Sequence, residues 1–402
     1  MARTGLVQRG ICLLVAITLA WLLIGTLLPN QPIEVETLAR LSAELRANLP
    51  IDQRRQDGQL TQRLFPWLTS WEHLDRSRLR STMGIVIPVG DRYVSLAAHA
   101  IRVLRFWNCT LPIEVVHMGP TDLSAAAVEY FDSLANTSTL DLSHVLDNSR
   151  LGLERWAIKP FAVLYSSFEQ VLLMDADVVW LQEPMQLWQD RGFQQTGALF
   201  FTDRLMKKSS HQRPGRGDHA SWLQSFLPRP LSPALLASPM FQGRSDHHQE
   251  SGVILINKTR GVDGLLAACM LNDPRVRGTV REMTFGEKET FWLGYEIARQ
   301  AYSFHPGTVG SIGAAMHSAE RGDYLICGHL AHLDLAGRVL WFNDGIVKNK
   351  HIMDMALAPL SHVISGGQWF DICMRNHQVS PLPPDQASAM TAIIGLWQNL
   401  TL

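Results

Sequence analysis

Apolar residues run along this chain in short dense blocks that end in polar turns. Val171-Leu172-Leu173-Met174 leads into Asp175-Ala176-Asp177 and then into Val178-Val179-Trp180-Leu181. An unbroken apolar run of that length reads as a parallel strand buried on both faces and breaking open at its carboxyl end. Gly84-Ile85-Val86-Ile87-Pro88-Val89-Gly90-Asp91 is a second such run, closed by a Pro/Gly turn and followed by an amphipathic stretch, Tyr93 to Trp107, that predicts a helix. Ile113-Glu114-Val115-Val116-His117 predicts another strand, Ala125 to Asn136 another helix, and Gln249-Glu250-Ser251-Gly252-Val253-Ile254-Leu255-Ile256 a polar turn into a buried strand. Strands alternating with helices predict an α/β, Rossmann-like domain. No G-x-G-x-x-G or P-loop follows a strand, so a bound nucleotide would not be held in the dinucleotide or Walker manner.

The flanks read differently. Ile11 to Leu28 carries no charge, follows Arg3 and Arg9, and is long enough to span a bilayer. Positive charge on the amino-terminal side predicts a cytoplasmic tail (1–10), a transmembrane signal-anchor (11–28) and a luminal remainder. A cleaved signal peptide is the competing reading, though no small-x-small pattern closes the run. Residues 29–80 are polar, with Leu38, Leu41, Leu45 and Leu49 at helical spacing, and are expected to form a luminal stem; a packed first helix is the alternative. The catalytic domain is placed at 81–385, where Pro381-Leu382-Pro383-Pro384 marks an exit, and 386–402 is an apolar segment able to pack back as a final helix. Ser209 to Asp246, rich in Pro, Gly, Arg, Ser and His, is expected to form a long loop over the site.

Composition narrows the function. With 402 residues, 46% hydrophobic and 18% charged, the chain can bury a large core. Lys plus Arg number 36 against 37 Asp plus Glu, with no basic run, which argues against a nucleic-acid partner. The five cysteines show no C-x-x-C, which argues against a cysteine zinc site. Sequons begin at Asn108, Asn136, Asn257 and Asn399 and fit a luminal domain. Cys12 falls in the apolar run, leaving Cys109, Cys269, Cys327 and Cys373 for two disulfides whose connectivity is open.

Asp175 and Asp177 carry the candidate chemistry. Ligands of open α/β sheets sit beyond the carboxyl ends of strands, and two carboxylates there need a counter-charge. Oxygen-only donors suit a hard cation such as Mg²⁺ or Mn²⁺ that shares its coordination with substrate phosphates. Arg155 and Lys159 lie four apart just before this strand and are able to clamp a diphosphate; an exposed, solvated face is the plainer reading. Glu250 opens one strand and Glu287 stands at the start of a helix, while His329, His332, Asp334 and Arg338 cluster later and offer an imidazole for the metal and a guanidinium for phosphate.

Taken in order, Glu154-Arg155-Trp156-Ala157-Ile158-Lys159-Pro160, Leu173-Met174-Asp175-Ala176-Asp177-Val178, Gln249-Glu250-Ser251-Gly252-Val253, Gly286-Glu287-Lys288-Glu289-Thr290-Phe291-Trp292-Leu293-Gly294 and Gly337-Arg338-Val339-Leu340-Trp341-Phe342-Asn343 resemble the fungal Golgi α-mannosyltransferases of the Mnn type over roughly residues 82 to 350. The set is also similar to the wider retaining GT-A enzymes of the glycogenin type, with Arg338 standing where those carry Lys. The resemblance implies a GT-A domain in a single-pass type II Golgi membrane protein that moves mannose from GDP-mannose to a mannoside acceptor on glycoprotein glycans, α-1,3 favoured over α-1,2, with retention. It implies Mn²⁺ or another divalent cation held by Asp175, Asp177 and His332, with His329 the alternative imidazole. Pro88, Gly90, Asp91, Arg155, Lys159 and Arg338 would bind the nucleotide and its phosphates, and Glu250 and Glu287 would position sugar or acceptor. A complex with other Golgi mannosyltransferases is compatible with it. The competing readings are an inactive luminal glycan-binding protein and, since paired carboxylates also serve there, a glycoside hydrolase.

Overall fold

The computed structural model describes residues 31–400 apart from 55, 75–80, 154, 207–217, 347–358 and 371. The expected tail and signal-anchor lie outside the described residues. Among those described, no helix is long and apolar enough to cross a membrane.

The apolar blocks form β1 (Ser81–Pro88), β2 (Ile113–His117), β3 (Thr137–Asp141), β4 (Phe168–Met174), β5 (Val179–Trp180), β6 (Ala198–Thr202), β7 (Gln249–Asn257) and β8 (Ser303–Phe304). All but β5 join one seven-stranded main sheet in the order β3-β2-β1-β4-β7-β6-β8. β1 to β4 are parallel, whereas β7 runs antiparallel to both β4 and β6. The sheet is therefore mixed. β6 ends at the carboxyl edge beside Gln249, so the returning chain starts β7 there and runs back.

Period-2 alternation divides the strands between two cores. Ile85, Ile87, Leu172, Met174, Leu199, Phe201, Val253 and Leu255 face one, shared with the helices Val94–Phe106 and Pro384–Gln398. Val86, Val171, Leu173, Phe200, Ile254 and Ile256 face the other, shared with the helices Lys159–Tyr165, Lys258–Leu271 and Thr290–Ala298. Each fully buried large aliphatic contributes about 1.5–3 kcal/mol.

The last third of the chain builds β9 (Val309–Gly313), β10 (Met316–Ser318), β11 (Asp323–Cys327), β12 (His329–Leu333), β13 (Val339–Phe342), β14 (His362–Ser365), β15 (Gln368–Phe370), β16 (Cys373–Asn376) and β17 (Ser380–Pro381). A second sheet runs β17-β14-β9-β12-β13-β5, and a small sheet runs β10-β11-β16-β15. β5 thus carries the chain after the two aspartates out of the main sheet and into the second.

Several expectations need correction. The stem assigned to 29–80 is not a free linker: on the helix Gln31–Ala47, Leu38, Leu41 and Leu45 are fully buried in the same core as Phe65 and Trp67, and Glu34 Oε2 accepts from Thr279 N at 2.7 Å. The packed alternative is what the leucine spacing encodes. The terminal segment belongs to the domain, because the helix Pro384–Gln398 buries Ile393 and brings its carbonyl 3.0 Å from His99 Nε2. The described part of Ser209–Asp246 is not one loop; it holds the helices His219–Phe226 and Pro233–Ala237. Cys327 and Cys373 form a disulfide across paired β11 and β16, while Cys109 and Cys269 are buried free thiols, so one of the two expected disulfides forms.

Candidate active site

In the order β3-β2-β1-β4 the direction in which strands are added reverses between the parallel pair β1 and β4, and the crevice beyond their carboxyl ends is where such sheets bind ligands. Pro88 ends β1, with Gly90 and Asp91 just beyond it. Asp91 Oδ1 accepts from Ser124 N at 2.8 Å, and a Cβ on Gly90 would stand 2.7 Å from Asp122 Oδ1 and displace that carboxylate. Asp175 and Asp177 follow β4. Gln249, Glu250 and Ser251 begin β7 at the same edge, and Thr202 and Asp203 end β6 there.

Lys159, at the start of its helix, reaches this edge from below. Its Nζ lies 2.7 Å from Asp175 Oδ1, 3.0 Å from Glu287 Oε1 and 3.1 Å from Ser251 Oγ, and that hydroxyl donates to Glu287 Oε1 at 2.9 Å. Burial alone would lower the ammonium, but Asp175 and Glu287 hold it well above its ordinary range. Burial pushes Asp175 up to about 6 despite Lys159, with the Asp177 charge adding to the rise. Glu250 Oε1 accepts from Gly252 N at 2.9 Å. Burial, then the Asp203 charge, push Glu250 up to about 7. Asp203 pairs with Lys288; burial would raise it, but Lys288, with His247 and Arg204 behind, holds it down to about 2. Glu289 accepts from His248 N, Gln249 N and Trp292 Nε1 at 2.9, 3.2 and 2.6 Å, which fixes the start of β7. Gly286 adopts φ +71°, turning the chain so that Glu287 faces Lys159.

The histidines separate by register. β12, β13 and β5 lie side by side, pairing His332 with Trp341 and Trp341 with Trp180. His332 is stacked on Trp341 at 4.0 Å, its Nε2 is buried without a hydrogen-bond partner, and burial pushes the imidazole down to about 3. Three residues further along each strand the row is His329, Asp344 and Asp177: His329 Nδ1 lies 3.7 Å from Asp344 Oδ2, and Gly345 N donates to the Asp177 carbonyl at 2.9 Å. His329, not His332, therefore stands on the row of Asp177. Arg338 sits at the other end of the β12–β13 hairpin and pairs with Asp385, so the phosphate role implied for it loses its geometry. The Arg155 side chain lies outside the described residues.

Whether these residues fit a divalent cation turns on the donor set. Asp175, Asp177 and Asp344 offer hard oxygens and His329 a neutral imidazole, but among the described residues no three such groups converge as a closed cage. An ion that shares its shell with substrate phosphates needs only one or two carboxylates, and the edge meets that requirement.

Asp203 was not singled out from sequence, and Lys288 and Ser251 stood there only as members of quoted motifs, with no role of their own. The signal for Asp203 is the same as for Asp175: an apolar run, Ala198-Leu199-Phe200-Phe201, closing on an acid.

The fold and this edge define an α/β domain whose charged groups gather at a topological switch point. The chain belongs to the family described as "Mannosyltransferase putative", whose sequence pattern matches residues 82–334. It is 28% identical over 310 residues to alpha-1,3-mannosyltransferase MNT3 of Saccharomyces cerevisiae, covering 69% of this chain and 48% of that protein. To alpha-1,3-mannosyltransferase MNT2 of the same yeast it is 28% identical over 309 residues, covering 69% and 54%. The chain spans about half the length of the curated relatives it matches. Core-mannan synthase A (CmsA/Ktr4) from Aspergillus fumigatus, solved in an Mn/GDP form, aligns at 11% identity over 54% of this chain and 70% of that one with a TM-score of 0.36, too loose a superposition to carry an argument.

Proposed function

We propose that this domain is a GT-A glycosyltransferase that moves mannose from GDP-mannose to a mannoside acceptor on glycoprotein glycans, forming an α-1,3 bond with retention and requiring Mn²⁺ or another divalent cation. The observation that carries it is the charge count at the β1–β4 crevice, where among the described residues Asp175, Glu250 and Glu287 share the ammonium of Lys159, Asp177 adds a further carboxylate beside Asp175, and Lys288 is committed to Asp203. Such a site is short of positive charge, as one completed by a metal–diphosphate ligand would be. A hydrolase needs no such completion.

Asp175 and Asp177, with His329, would hold the cation, which when bound neutralises charge growing on the leaving diphosphate. Lys159 orients Asp175 and spreads the charge of Glu287. Glu250, fixed by Gly252 N and by the nearby Asn343 amide, presents its second oxygen toward sugar or acceptor hydroxyls. A Cβ on Gly252 would stand 3.1 Å from Asn343 Nδ2 and 3.2 Å from Glu250 Oε1 and from Trp341, so a side chain here would have to shift the groups that fix Glu250.

The domain works, in this proposal, in the Golgi lumen as a single-pass type II membrane protein. The Cys327–Cys373 disulfide supports an oxidising compartment, and Asn108, Asn136 and Asn399 of the sequons are exposed. The test offers the purified chain GDP-mannose, UDP-galactose and UDP-N-acetylglucosamine with an α-mannoside, with Mn²⁺ and with chelator. Mannose transfer alone, abolished by chelator and giving an α-1,3 product by NMR, is expected. Binding of mannosides without transfer from any donor would assign a glycan-binding protein instead.

A further inference from the structure

Along the carboxyl edge of the main sheet the groups stand in a line. Pro88 ends β1, Asp175 and Asp177 follow β4, Glu250 begins β7, and Asp203 follows β6. The nucleotide end of this line is the β1–β4 crevice. At the opposite end, starting at Thr202 and Asp203, the surface opens into a cleft of about 1930 Å³. Pockets for drug-sized ligands measure roughly 300–1,000 Å³, so this cleft has room for several sugar units.

One wall is formed by Pro239, Arg244 and His248 and the facing wall by the small sheet that the Cys327–Cys373 disulfide ties together. Two of the acids in the lining are already neutralised, Asp203 by Lys288 and Asp323 by Arg375 at 3.3 Å. On β15, Trp369 rests on the small core of Ile326, Ile364 and Met374 with the Arg204 guanidinium 5.8 Å over its ring, and Phe370 is 43% exposed with Arg375 4.8 Å over its ring. Gln368 and Asn376 add amides to the same lining. Aromatic rings set among amides, paired acids and the guanidiniums of Arg204, Arg244, Arg321 and Arg375 suit a neutral polyol, whose C–H groups pack on the exposed ring carbons while its hydroxyls accept from the amides and guanidiniums.

We propose that this cleft binds an extended oligomannoside acceptor, with Trp369 and Phe370 as the platform beneath units distant from the reacting one. The inference rests on the transferase reading above. The acceptor enters from the β6 side, opposite the nucleotide, and its terminal hydroxyl arrives beside Glu250. Selection for acceptor length then resides in β15 and not in the β1–β4 crevice.

The experiment compares Trp369→Ala and Thr308→Trp with the parent chain. Thr308 is exposed and lines the same cleft, so a tryptophan there fills it without disturbing the small core. Transfer to methyl α-mannoside and to α-mannotriose is measured beside the melting temperature, with mannotriose binding followed by calorimetry. In both variants the preference for mannotriose should fall about tenfold, equivalent to ~1.4 kcal/mol, through KM. If the parent transfers mannose but both folded variants keep its preference, the acceptor assignment is overturned and the transferase reading stands. If the parent transfers from no donor, the transferase reading fails. Mannotriose binding weakened by both variants would then still support the cleft, and binding equal in all three would overturn it too.

Discussion

Lys159 Nζ stands 2.7 Å from Asp175 Oδ1 and 3.0 Å from Glu287 Oε1, with 4% of its side chain exposed. It ties the strand-end aspartate to the turn before the helix Thr290–Ala298. Removing one partner of a buried ion pair leaves the others uncompensated, at about 3–5 kcal/mol. Lys159→Ala should lose that much in urea denaturation, and Lys159→Met combined with Glu287→Gln should recover part of it. Equal stability of parent and Lys159→Ala would remove the ammonium's structural role.

Asp177 lies beyond β4 on the row shared with His329 and Asp344, and the proposed transferase reading has its carboxylate serve the cation. Asp177→Asn should keep the melting temperature within a few degrees while lowering Mn²⁺-dependent turnover by about 10²-fold or more, the scale of lost charge stabilisation. Full turnover in the folded variant would sink the metal assignment.

The two imidazoles of β12 should respond oppositely. His329→Ala is expected to raise the Mn²⁺ concentration for half-activation by about 10–100-fold. His332→Phe, which keeps an aromatic ring on Trp341, should leave that concentration unchanged. A metal titration of both variants decides between them, and the reverse outcome would return the ligand role to His332.

Lys258 supplies a pH dependence remote from the site. Its Nζ donates to Ser166 O at 2.6 Å, and burial pushes it down from its ordinary 10.5 to about 7. Between those values the unfolded chain binds the proton and the folded one does not, so stability rises with pH across roughly 7 to 10.5. The slope contributed is at most about 1.4 kcal/mol per pH unit. Lys258→Met should flatten the rise in urea midpoint between pH 7 and pH 9, read against the parent.

Much of this was readable in advance because it depends on neighbours in sequence. β2 falls at Ile113–His117 as its apolar run indicates, and β7 begins at Gln249, where polar residues give way to apolar ones. What escaped depends on partners far along the chain. Val178 to Leu181 shows only as a second apolar run after the aspartates; that β5 within it pairs with β13 is a long-range fact, and only that register reveals which histidine shares a row with Asp177. The ion pair of Arg338 escaped because its partner, Asp385, lies 47 residues on in the helix Pro384–Gln398 and leaves no local trace. Leu38, Leu41 and Leu45 show a helix by spacing, but their burial follows from a tertiary contact with the core around Phe161 and Leu265.

That buried first helix sets where the protein can be cut. The stretch shared with its family begins at residue 82, but the buried core already includes Leu38, Leu41 and Leu45 of the helix Gln31–Ala47. A fragment trimmed to the shared stretch would expose a leucine-sized trough on its surface and should aggregate.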